Sequence, residues 1–181
     1  VVRGYGLNVA LPVLRRIVLL LLALIIPACG YHFPGGNDAR LPHLRTFYVD
    51  VFVNKTNEVD AGGIIKRAFT SRFVEEGRFT LAAGSKSADL VCRGSIKSIQ
   101  VSPLSYKASN IAAEERMTVV MEVIFEESAN GHAIWADRAL IATGDYLTGN
   151  TSTVEKNRKN ALLKLAGDAA ERAYRLMMSD F

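Results

Sequence analysis

Arg116-Met-Thr-Val-Val-Met-Glu-Val-Ile-Phe-Glu-Glu127 alternates along its whole length. Met117, Val119, Met121, Val123 and Phe125 fall on one side; Thr118, Val120, Glu122, Ile124 and Glu126 fall on the other. A period of two is that of a β-strand with one buried face, and no helical stripe competes with it. Asn130-Gly131 follows, a dipeptide suited to the positive φ angles of hairpin turns. Residues 133–146 then return as the paired strand.

Working outward, residues 88–101 read as another long strand. Leu90, Cys92 and Ile96 share one face of it; Asp89, Val91, Arg93, Ser95 and Lys97 share the other. Residues 44–54 alternate as well, with Phe47, Val49, Val51 and Val53 on one face and Thr46, Tyr48, Asp50 and Phe52 opposite. Residues 79–83 give a short strand, and 103–110 a polar loop. Two helices complete the pattern. The first starts near Asp60 as N-cap, runs through Ile64, Ile65, Ala68, Phe69 and Phe73, and stops at Gly77. Gly62-Gly63 near its start reads as close packing or a frayed first turn, since no phosphate-loop pattern surrounds it. The second begins at Ser152 and Glu155, which have capping-box spacing. It carries a core stripe of Leu162, Leu165, Ala169, Ala173 and Leu176 to about residue 179. The order strand, helix, several strands, helix predicts an α+β two-layer sandwich: a mixed sheet of four to five strands with both helices on one face.

The opposite sheet face is more apolar than water requires. On this reading it carries Tyr48, Phe52, Val120, Ile124, Trp135 and Ile141. Either twist and loops cover these residues, or they form a partner-binding surface.

At 181 residues, 49% hydrophobic and 22% charged, the chain is too apolar to be wholly disordered. With a single long apolar run, it is not a multi-span membrane protein. The net charge of +4 is concentrated at the N-terminus, where residues 1–28 hold Arg3, Arg15 and Arg16 and no acid. The remainder is close to neutral and has no basic arm for nucleic acid.

Arg15-Arg16 precedes a ten-residue apolar run, Ile17 to Ile26, and then Pro27-Ala28-Cys29-Gly30. Ten helical residues span about 15 Å, half the hydrocarbon thickness, so a processed export signal is favoured over a transmembrane helix. Ile26-Pro27-Ala28-Cys29 resembles the bacterial lipobox, with Pro27 atypical. The resemblance implies cleavage between Ala28 and Cys29 and covalent diacylglycerol and N-acyl lipid on Cys29, stable as an anchor because more than one chain is buried. Gly30 after Cys29 is compatible with outer-membrane delivery. The organisation expected is 1–28 signal peptide, 29–43 lipidated tether rich in Gly and Pro, and 44–181 one periplasmic domain.

No catalytic constellation emerges. His32, His43 and His132 lack ligand spacing, so no metal site is expected. There is no Gly-x-Ser-x-Gly elbow. Cys92 sits on a core face and reads as a small buried apolar residue. No other cofactor is implied, and an enzyme is not the expectation.

Cys29-Gly-Tyr-His-Phe33 after a lipobox, Val51-Phe-Val-Asn-Lys-Thr56 before a helix, Ala88-Asp-Leu-Val-Cys-Arg-Gly-Ser-Ile96, Ala113-Glu-Glu-Arg-Met-Thr-Val119 and a closing Ala/Leu/Arg helix together resemble the LptE (RlpB) family of lipopolysaccharide-assembly lipoproteins. The resemblance covers nearly all of 29–181. It implies a four-stranded sheet with two helices, an anchor on the periplasmic side of the outer membrane, and a place as plug within the LptD β-barrel. It also implies contact with lipopolysaccharide. A phosphate-bearing lipid needs cations beside apolar surface, and Lys107, Arg93, Lys97 and Arg116 are the residues expected to supply them. The competing expectation is a regulatory outer-membrane lipoprotein, such as an activator of a peptidoglycan synthase.

Overall fold

A computed structural model describes residues 43–106, 112–149 and 151–179. Cys29, Ala28 and Lys107, named above, lie outside them. The elements are β1 (Thr46–Val49), β2 (Val53–Asn54), α1 (Ala61–Glu76), β3 (Thr80–Leu81), a 3-10 turn (Ser85–Ser87), β4 (Leu90–Tyr106), β5 (Ala112–Glu127), β6 (Ala133–Leu147) and α2 (Thr151–Ser179). They form an α+β two-layer sandwich on a mixed sheet of order β3-β1-β4-β5-β6, with β2 also on β4. β1, β2 and β3 pair in parallel, and β4, β5 and β6 in antiparallel.

The alternation of β5 is realised in full: Met117, Val119, Met121, Val123 and Phe125 are all completely buried. They meet Phe69 and Phe73 of α1 and the α2 stripe. That stripe is wider than expected and ends differently. Ala161, Leu162, Leu165, Ala166, Ala169, Ala170, Ala173, Tyr174 and Met177 are buried, while Leu176 is 37% exposed. Cys92 lies in the same core, where burial pushes its thiol pKa well up.

Residues 44–54 do not form one strand. Val49 pairs with Cys92 and Val53 with Ser95, so one more residue lies between the partners on the β1–β2 side than on β4. An extra residue of this kind reverses which face the following side chains occupy. Val51 and Val53 are accordingly 60% exposed, and Phe52 is buried on the helix side against Phe69, ring centroids 5.2 Å apart. Phe52 therefore does not belong to the outward face. Two glycines make room for it. A Cβ on Gly94 would stand 2.3 Å from Phe52 Cε1, and one on Gly62 would stand 2.3 Å from the Phe52 carbonyl oxygen. Gly62 is a close-packing glycine.

Trp135 is corrected for the same reason. The β5–β6 register shifts between Met121–Leu140 and Val123–Asp137, adding a residue on β6. Trp135 thus turns to the helix side and stacks on Phe125, centroids 5.5 Å apart. β4 runs through Pro103 to Tyr106 instead of ending in a loop. No described strand pairs with its side away from β5 there, and the missing N–H of proline takes no ladder bond from β5. Asp60 precedes α1 with φ of 62° and makes no side-chain cap bond, whereas Gly77 closes the helix at φ 67° with its N–H on Val74 O, 3.1 Å.

The lead-in to β1 is fastened at one carboxylate. Asp89 Oδ2 accepts from Arg45 N (2.9 Å), Thr46 N (2.9 Å) and Thr46 Oγ1 (2.8 Å), and Asp89 N donates back to Thr46 Oγ1. His43 Nε2 lies 3.2 Å from Glu127 Oε1 beside it.

Phe52→Ala is expected to cost about 3–5 kcal/mol and Gly94→Ala about 1–3 kcal/mol in urea unfolding, the first from a cavity and the second from overpacking. The bonds donated by Arg45 and Thr46 hold the Asp89 pKa below its ordinary 3.8. A depressed folded pKa stabilises above the unfolded value and fades as pH falls through the folded one. Asp89→Asn should therefore lower the melting temperature at pH 7, and its deficit should shrink as pH falls below about 4.

Candidate partner interface

The sheet face opposite the helices is built by the outward residues of β4, β5 and β6. Registers place Ile124 between Arg93 and Ala136, Val120 between Ser98 and Ile141, and Arg116 between Ser102 and Asp145. Val120 and Ile124 are half-buried by these neighbours, and Ile141 is 51% exposed. Tyr48, on β1, is half-buried, with Lys66 Nζ 3.2 Å from its hydroxyl and 4.7 Å from its ring centroid. Of the six residues expected here, Tyr48, Val120, Ile124 and Ile141 share this face; Phe52 and Trp135 lie on the other.

The cations of the face are paired across strands. Arg93 places Nε 3.0 Å from Asp50 Oδ2 and Nη1 2.6 Å from Glu126 Oε1. Lys97 Nζ donates to Arg138 O at 2.7 Å and stands 3.9 Å from Glu122. Arg116 grips Asp145 with both Nε (2.7 Å) and Nη2 (2.8 Å), which lowers the Asp145 pKa and raises that of Arg116. Such exposed pairs add little stability, about 0–1 kcal/mol each. Their consequence is electrical: the apolar positions sit in a frame where each of these cations already faces a carboxylate. A phosphate reaching Arg93 or Arg116 must compete with a carboxylate already bound.

Those carboxylates escaped the sequence reading. Glu126 shares a β5 face with Glu122 and Ile124. Only the β4–β5 register reveals which cations they meet. On the helix side of the same strands, Tyr146 Oη donates to Glu115 Oε2 at 2.6 Å, and burial together with that bond pushes the phenol pKa up to about 12. Among the described residues no group of three or more His, Cys, Asp or Glu side chains could hold a metal, and no helix is long and apolar enough to cross a membrane.

The same architecture occurs in solved structures. The rare lipoprotein B of Shewanella oneidensis superposes with a TM-score of 0.51 at 16% identity, covering 75% of this chain and 96% of that one. A Xanthomonas campestris protein gives 0.51 at 10% identity, covering 77% and 90%. A Caulobacter crescentus chain gives 0.54 at 9%, covering 74% and 88%. The class is thus a small two-layer α+β domain whose fold is shared with the rare lipoprotein B of Shewanella oneidensis. No curated protein matches the chain. The model of the LptE lipopolysaccharide-assembly family matches residues 44–177, and the chain belongs to that family.

The face assignment is tested one residue apart. Val123→Arg, which drives a charge into the core, should leave no cooperative unfolding transition, whereas Ile124→Arg should change stability by less than about 1 kcal/mol in urea titrations.

Proposed function

We propose that this chain is a lipid-anchored outer-membrane lipoprotein that seats within the LptD β-barrel and supports insertion of lipopolysaccharide into the outer leaflet. Membership of the lipopolysaccharide-assembly family supports the process. The observation that carries the seat is the outward sheet face. It offers Val120, Ile124 and Ile141 inside a frame in which Arg93 and Arg116 are already paired with carboxylates. Barrel interiors are polar, and an interface against one needs matched pairs with apolar contacts between them. Cys29 bears the acyl chains, which hold the domain on the periplasmic side. Lipopolysaccharide phosphates are taken up by Lys107 and, in exchange for their carboxylates, by Arg93, Lys97 and Arg116. The work is binding and positioning, with no catalytic residue required.

The test is site-specific photo-crosslinking in the source cell, with probes at Ile124 and Ile141 and a control at Trp135 on the helix side. Adducts with a large β-barrel from the first two sites, and none from the control, are expected. Adducts with a peptidoglycan synthase, or a barrel adduct from Trp135 alone, would overturn the reading.

A further inference from the structure

β2 leaves β4 early. Its last pair is Asn54 with Ile96, after which Lys55 N donates to Ile96 O at 3.1 Å. From there β4 continues to Tyr106 with β5 on one side and no described strand on the other. Residues 98–103 keep an unbroken register with β5, between the shift at Lys97 and the next one after Pro103. In an antiparallel pair alternate residues turn their main-chain groups away from the partner. Pro103 has no N–H to give, so it occupies an outward-turned position. Ile99 and Val101, of the same parity in this register, therefore also present N–H and C=O to the side on which no described strand lies. Val101 and Leu104 are 40% and 42% exposed along this stretch.

At the head of the open edge lies a cleft of about 480 Å³, lined by Lys55, Asn57, Ser98, Gln100 and Arg158 among others. Its loop is braced before anything binds. Asn54 Nδ2 donates to Glu58 O at 2.7 Å, and Asn54 Oδ1 accepts from Thr56 N at 3.0 Å and Thr56 Oγ1 at 2.7 Å. Arg158 Nη2 holds Glu58 Oε2 at 2.5 Å. Lys97 also lines the cleft, but its ammonium is bonded to Arg138 O and stands 3.9 Å from Glu122. Lys55 and Arg158 against Glu58 leave the cleft one positive charge in excess, and preorganisation spares a ligand the ordering of the loop.

We propose that this edge is a strand-addition site. An extended segment of another polypeptide pairs with residues 98–103, in line with β2, and an acidic side chain at its end enters the cleft beside Lys55. Main-chain bonds supply the affinity of such additions, and end groups supply the selectivity. The β6 edge is the poorer template, because two register shifts kink it and Asp137 and Arg138 stand along it.

The test uses the full chain in detergent and a fluorescent, end-capped Asp-Thr-Val-Thr-Val-Thr-Val peptide, with a second peptide carrying Lys in place of Asp. The Asp peptide should bind at least about tenfold more tightly, as one gained or lost ion pair in a partly desolvated cleft requires. Bound peptide should slow amide exchange at Ile99 and Val101. Lys55→Glu should reverse the order of the two peptides. Val101→Pro should abolish binding of both while leaving the unfolding midpoint in place; if that midpoint falls, Lys55→Glu alone carries the test. Equal affinities, no binding, slowed exchange on β6 instead, or a dimer of this chain dissolved by Val101→Pro would each overturn the proposal, the last by making a second copy the occupant.

Discussion

The position of Phe52 between Gly62 and Gly94 sets the geometry of everything around it. A phenyl ring at this point lies over β4, under the first turn of α1 and against Phe69. It can do so only because the chain takes one extra residue between β1 and β2. It also needs both neighbours to lack a Cβ. Those three conditions fix how closely α1 approaches the sheet. α1 and its Phe69 and Phe73 then form one wall of the aromatic core that Phe47, Phe79, Phe125 and Tyr174 complete. The length of chain left between β2 and α1 is what forms the braced loop and opens the cleft above the β4 edge.

Where a strand is unbroken, local sequence is enough to read it. Each residue of β5 went to the face its alternation assigns, because period-two patterning admits one orientation when one side is buried. The order of elements, and hence the layers, follows from the same patterning. Phe52 and Trp135 did not yield to it. Both lie beyond a one-residue insertion, and such an insertion leaves no mark in composition: it exists only relative to the partner strand. The true end of the α2 stripe is a smaller case. Leu176 and Met177 are both apolar, and Met177, four residues after buried Ala173 and three after buried Tyr174, is the one that is covered.

The candidate surface was legible in its apolar residues and opaque in its charges. Val120, Ile124 and Ile141 were recoverable from alternation. The pairing of Arg93 with Asp50 and Glu126, and of Arg116 with Asp145, joins residues far apart in sequence and depends on register. That pairing changes the character of the face from cationic to one whose named cations each face a carboxylate. A face of this kind selects by shape and by the placement of its pairs; long-range attraction contributes little once each charge is neutralised within a few ångströms.

The fastening of the lead-in at Asp89 has a mechanical meaning. Tension arriving through the chain before His43 reaches Thr46 at the first residue of β1, which runs parallel to β4. Pulled along its own axis against a neighbour, a strand must shear several ladder bonds at once. Pulled sideways, it would lose them one by one. The load passes from Asp89 into β4, whose 17 residues extend about 50 Å away from that point. The helices lie outside this path. Resistance to such a pull is governed by the rate of unfolding and not by equilibrium stability. A load applied along β1 would thus be met in shear, and it would enter the sheet at a single carboxylate beside the first residue of β1.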